Sequence, residues 1–205
     1  MENKYLILSA QVISLLFSPF HMPVMAFFLL LFFSYMSLLP LSLKTAILVV
    51  VWLFTIALPR VSIFFYRKLN GWSRYHLGRR ANRFVPYGIS ILCYAALLYM
   101  MYIYHMPTFT QGIIVGALAI QISCTIINNW VKVSTHAAAA GGCLGALLAF
   151  SAIFRFDPTS WLCLCVLLCG LVSTSRLVLR QHQLRDVGLG TLVGVLCGFF
   201  CIFFI

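Results

Sequence analysis

Acidic side chains are almost missing from this chain. Its 205 residues include only Glu2, Asp157 and Asp186 as acids, and charged residues of both signs amount to 8%. So little charge excludes an ordinary soluble domain, in which roughly a quarter of the residues are charged. Strict apolar–polar alternation is missing too, which argues against a membrane β-barrel. No low-complexity linker and no internal repeat interrupts the chain, so residues 1–205 read as a single domain. The eight cysteines match no zinc or iron–sulfur spacing. They lie within apolar runs and read as small packing residues rather than metal ligands or disulfide partners.

What the chain has in abundance is apolar surface. Hydrophobic residues make up 63% of it, and the mean hydropathy is +1.04. An apolar run of about 18 or more residues can cross the roughly 30 Å core of a bilayer as a helix, the form that satisfies every backbone group internally. Such runs extend over Met22–Leu39, Lys44–Phe65, Tyr87–His105, Gln111–Trp130, Ala137–Phe154, Thr159–Thr174 and Val187–Ile205. The sixth is short and is expected to continue into Arg176–Leu179. Ahead of them, "YLILSAQVISLLF" is too short to cross and ends at Ser18-Pro19, so it reads as an interfacial helix rather than a cleaved signal. The expected fold is an all-α integral membrane bundle of about six to seven transmembrane helices with a short N-terminal interfacial helix.

The formal charge of +11 would point to nucleic acid in a soluble protein. Here ten of the fourteen lysines and arginines fall in three interruptions of the apolar pattern: Arg67–Arg83, Lys132 and Arg176–Arg185. Basic residues gathered where spans end fit anionic lipid headgroups or a phosphate ligand, not nucleic acid. Two spans separate the first island from the second, "NNWVKVSTH", and two separate the second from the third, "SRLVLRQHQLRD". An even number of crossings returns the chain to the same face, so one site can draw on all three. A basic face is also what the positive-inside rule gives a cytoplasmic surface, and that accounts for Arg67, Lys68 and Arg74. It does not account for His136, His182 and Asp186, because ionisable residues bordering membrane helices are costly and mark functional sites by default. His21 and His105 fall at span ends and read as interfacial residues.

His182 and Asp186 are spaced i, i+4, so on a helix beginning near Gln181 they share a face. The aspartate can then hold one imidazole nitrogen and leave the other as nucleophile or base. His136, on the same side of the membrane, can act as general acid and then base. Ser134 and Thr135 open the next helix, where hydroxyls and unpaired N–H groups suit anionic oxygens, and Lys132 adds a charge. Arg79, Arg80 and Arg83 in "RRANRFVPY" offer guanidinium forks suited to phosphate. "AAAAGGCLG", Ala137–Gly145, reads as close helix packing. Two histidines, an aspartate and several arginines suit phosphoryl transfer through a phosphohistidine, with positioning and charge neutralisation supplying the catalysis.

These residues resemble the type 2 phosphatidic acid phosphatase superfamily. Its third motif, S-R, five residues, H, three residues, D, is matched at every fixed position by Ser175, Arg176, His182 and Asp186. Its second, P-S-G-H, is matched by Ser134 and His136, with Val133 and Thr135 in place of proline and glycine. The first, K, six residues, R-P, is matched poorly: Arg79 lies one short of the family spacing to Pro86, and Val85 stands where the arginine belongs. The resemblance implies a membrane lipid phosphatase in which His182 attacks phosphorus, Asp186 orients it, and His136 protonates the leaving oxygen and then activates water. Arg176, Ser134, Thr135, Lys132 and the upstream arginines, Arg83 first, would bind the phosphoryl oxygens. It implies no cofactor and no metal. The expected partner is a phosphorylated lipid: phosphatidate, phosphatidylglycerol phosphate, undecaprenyl pyrophosphate or lipid A. A lipid phosphotransferase and a non-catalytic binder or transporter of phosphorylated lipids are the alternatives. The resemblance favours the periplasmic face of a bacterial inner membrane for the site, and the basic loops argue for the cytoplasmic face. The reading leans to the periplasmic one.

Overall fold

The computed structural model describes residues 4–69 and 84–205. Among the described residues it is entirely helical: α1 Lys4–Leu16, α2 Met22–Phe33, α3 Leu41–Leu69, α4 Phe84–Ile103, α5 Thr108–Ile127, α6 Thr135–Phe154, α7 Thr159–Val178 and α8 Leu184–Phe203. Six of these, α3 to α8, are long and apolar enough to cross a membrane. Helix α7 runs through Arg176 to Val178, as the sixth apolar run required.

The first expected span, Met22–Leu39, is not one helix. Helix α2 stops at Phe33, Ser34 is extended (φ −113°, ψ −174°), and a 3-10 turn follows over Tyr35–Leu38. Ser34 breaks the helix by local competition. Its hydroxyl donates to the Leu30 carbonyl and accepts from the Met36 amide, offering the backbone a turn instead of another helical bond. At 12 residues, α2 rises only about 18 Å, too little for the hydrocarbon core. The segment nevertheless runs from one end of the bundle to the other. Ser18 borders a cavity with His136, while Leu38, Leu39 and Pro40 meet Pro107 and Phe109 at the turn between α4 and α5.

Helix α3 is kept continuous by a π-turn at Leu53–Ala57. Pro59, buried one turn on, has no N–H to offer the carbonyl four residues earlier, and the wider turn absorbs that mismatch.

The tightest packing joins α6 to α8. A Cβ added at Gly190, Gly194 or Gly198 would run into the backbone carbonyls of Ser134, Ala138 and Gly142. One added at Gly141 or Gly145 would meet Thr191 and Val195. The four-residue steps on both helices place glycine against backbone at successive turns, the close approach that replaces hydrophobic burial as an associating force inside lipid. The expectation of packing for Ala137–Gly145 is met. Cys169 packs with Met22, Ala139, Ala140 and Val172, and Cys124 with Ile120, Val133 and Ala138. All eight cysteines are free thiols.

Candidate active site

The chain between α5 and α6 reaches the site through Val133 and Ser134. Ser134 is the N-cap of α6, fully buried, and its Oγ accepts from the Ala137 amide. Val133, just before the cap, packs with Ala138 one turn inside the helix. This apolar staple sets the angle at which the chain enters α6. It explains how valine serves where the resembled motif has proline. Thr135 and His136 then occupy the first turn, where backbone N–H groups have no intrahelical acceptor. Thr135 is helical, so this position makes no demand for glycine.

The second half of the site comes from the α7–α8 connection. Helix α7 ends in a left-handed residue, Arg180 (φ 52°). The Gln181 amide donates to the Arg176 carbonyl and the Arg180 amide to the Leu177 carbonyl. These paired bonds close the helix and reverse the chain, throwing His182 back over the bundle. Helix α8 begins at Leu184 rather than near Gln181, so His182 precedes the helix instead of standing on its first turn. The i, i+4 pairing survives this correction because Asp186 faces backwards. Its Oδ2 accepts from the Gln183 amide at 3.1 Å in a reciprocal capping box. The same oxygen lies 3.5 Å from His182 Nδ1, a loose polar contact longer than a good hydrogen bond, with the two side chains 6% and 4% exposed.

Two bonds stitch the halves together. The Ser134 amide donates to the Asp186 carbonyl at 3.1 Å, and Lys132 Nζ donates to the Gln181 carbonyl at 2.6 Å. His136 lies within electrostatic reach of both Arg176 and His182, and among the described residues its Nδ1 has no hydrogen-bond partner. Arg176 is buried at 9% exposure. Burial, with the charges of Arg176 and Lys132, pulls the His182 pKa down to about 4 against the opposing pull of Asp186. His182 is therefore neutral at physiological pH and keeps a lone pair for attack or proton transfer.

Of the residues expected in the site, His136, His182, Asp186, Arg176, Ser134, Thr135 and Lys132 come together. Arg79, Arg80 and Arg83 lie outside the described residues. Helix α1 was missed as part of the site. Arg176 Nη1 donates to Ser14 Oγ at 2.7 Å, and the Ser14 carbonyl lies beside the His136 ring. A cavity of about 270 Å³ is lined by Gln11, Ser14, Leu15 and Ser18 of the N-terminal segment together with His136, Leu179 and Gln181. The only hint in the sequence is the presence of Ser9, Gln11 and Ser14 in an otherwise apolar stretch.

His21 is likewise more engaged than a plain interfacial residue. Arg60 Nη2 donates to its Nε2 at 3.2 Å. The proton therefore sits on Nδ1, which lies 2.8 Å from Ser18 Oγ and 3.0 Å from the Leu15 carbonyl.

Residues 126–205 match the family model of the PAP2 superfamily, the family that the motifs resemble. The matched segment holds Ser134, His136, Arg176, His182 and Asp186. No curated protein and no solved structure matches the chain.

Proposed function

Since residues 126–205 form a PAP2 superfamily segment in a bundle of membrane-length helices, we propose that the protein is a membrane phosphatase. Its substrate is the phosphate monoester or pyrophosphate of a lipid. The observation that carries this reading is the convergence of two histidines and a buried arginine, His136, His182 and Arg176, with Asp186 behind His182.

The chemistry follows from the atoms. The unprotonated nitrogen of His182 attacks phosphorus while Asp186, on the Nδ1 side, holds the ring and stabilises the charge it acquires. The phosphorus–oxygen bond to the lipid breaks, and His136, protonated once the anionic substrate is bound, gives its proton to the leaving oxygen. Water then loses a proton to His136 as it attacks phosphorus. The phosphorus–nitrogen bond breaks, returning neutral His182 and free phosphate. Arg176, Lys132 and the first-turn amides of α6 neutralise the phosphoryl oxygens throughout. A site at the end of a membrane bundle meets headgroups first, which favours a lipid over a soluble ester. We place the protein in a bacterial inner membrane with the site on the periplasmic face.

The test is phosphate release by detergent-purified protein from phosphatidate, phosphatidylglycerol phosphate, undecaprenyl pyrophosphate and lipid A. His182→Ala and a chelator serve as controls. Release from one lipid, lost in His182→Ala and indifferent to chelator, is the expected result and names the substrate. Absence of release from every lipid, with lipid binding equal in both proteins, would mean a binder instead of an enzyme.

A further inference from the structure

Helix α1 lies outside the family match, and it touches two of the groups that act in the proposed reaction, Arg176 and His136. Its residues are mostly apolar and exposed, including Leu6, Leu8, Val12, Leu15 and Leu16. Only Ala10 and Ser14, one turn apart, are buried. A hydroxyl facing inward from such a helix would be a liability without a partner. Here it accepts from Arg176 Nη1 at 2.7 Å across 162 residues of sequence.

An arginine side chain has many rotamers, and two-point recognition of phosphate requires its planar fork to be held in one of them. Ser14 engages one of the five N–H donors and so gives the guanidinium plane a fixed point. The Ser14 carbonyl lies beside the His136 ring, so a single turn of α1 borders both the arginine and the candidate acid.

The end of α1 is itself anchored. Arg60 of α3, His21, Ser18 Oγ and the Leu15 carbonyl form a chain of contacts immediately after Ser14. Met22 Sδ then meets Cys143 Sγ of α6. The turn carrying Ser14 is thus held from α3 on one side and from α6 on the other, which is the support an orienting contact needs.

We propose that Ser14 is a positioning residue of the phosphate site, its hydroxyl fixing the Arg176 guanidinium and its carbonyl bordering His136, so that α1 is a functional element of the enzyme. This rests on the phosphatase reading above.

The experiment compares wild type, Ser14→Ala, Ser14→Thr and Ser9→Ala in the full-length protein. Calorimetric binding of inorganic phosphate is measured alongside KM and kcat on the lipid that the wild type hydrolyses. Ser14→Ala is expected to weaken phosphate binding and raise KM by about tenfold, the scale of one hydrogen bond to a charged group, with a smaller change in kcat. Ser14→Thr restores both because it keeps the hydroxyl. Ser9→Ala, on the exposed side of the same helix, leaves both unchanged. If Ser14→Ala melts well below the wild type, Ser14→Cys carries the comparison, since it keeps the size and replaces the oxygen by a weak acceptor. Unchanged or tighter phosphate binding in the folded variant, with an active wild type, overturns the role of Ser14 alone. A wild type that neither binds phosphate nor releases it overturns the phosphatase reading, and the role of Ser14 with it.

Discussion

The Ser134 amide donates to the Asp186 carbonyl at 3.1 Å, joining the cap of α6 to the first turn of α8. Through this bond the two motif loops share one frame, and the glycine contacts below it keep the helices close enough for it to form. Gly190→Val places a side chain against the Ser134 carbonyl and pushes α6 from α8 at the level of the site. Activity is expected to fall by about 100-fold or more, as a displacement of about 1 Å can do, and the melting temperature to drop. Gly188→Ala, with open space around the added carbon, is expected to change neither.

Replacing the reacting groups separates their roles. His182→Ala removes the proposed nucleophile and is expected to reduce kcat by about 10³-fold or more while lipid binding persists. His136→Ala removes the proposed acid and base, with an expected loss of about 10² to 10⁴. Trapping of labelled phosphate on the protein distinguishes the two. His182→Ala carries none, and His136→Ala retains label, because loss of the base slows attack by water.

The titration of His182 carries a sign for each neighbour. Arg176 and Lys132 depress its pKa and Asp186 raises it. Arg176→Gln and Lys132→Met should therefore move the midpoint up from about 4, and Asp186→Asn should move it further down. NMR titration of ring-labelled histidine reads each shift. Because the folded pKa lies below the ordinary histidine value of 6.5, the unfolded chain binds a proton that the folded one refuses. This contribution therefore erodes stability as pH falls from about 6.5 toward 4 and is absent above that window.

The path of the chain predicts which loops share a face. In a protein cleared of its native cysteines, Asn129→Cys and Gln183→Cys should react with an impermeant thiol reagent from the same side. His105→Cys and Arg155→Cys, at the turns α4–α5 and α6–α7, should react from the other. Labelling of Asn129→Cys and Gln183→Cys from opposite sides would overturn the arrangement of spans.

Most of the bundle was legible because lipid imposes a single rule, a long apolar run, and α3 to α8 obey it. The break at Ser34 was not legible, since it turns on one hydroxyl choosing local backbone partners inside an apolar stretch. Among the site residues, His182, Asp186 and His136 stood out because ionisable groups are conspicuous beside membrane helices. Their fixed spacings also survived the shift of the α8 start to Leu184. The left-handed turn at Arg180 could not be foreseen, because glycine, its usual marker, is missing there. Ser14 gave no signal of its own. A serine on a short apolar helix acquires meaning only when Arg176, far along the sequence, is folded against it.

That separation has a consequence for biogenesis. A ribosome delivers Ser14 to the membrane at the outset and Arg176 near the end, 162 residues later. Until α7 is threaded into the bilayer, Ser14 has no Arg176 to accept from, and the N-terminal helix has only its contacts with α3 and α6. The contact between Ser14 and Arg176 is therefore a late product of synthesis, and a chain stalled or clipped before α7 lacks Arg176, His182 and Asp186 together.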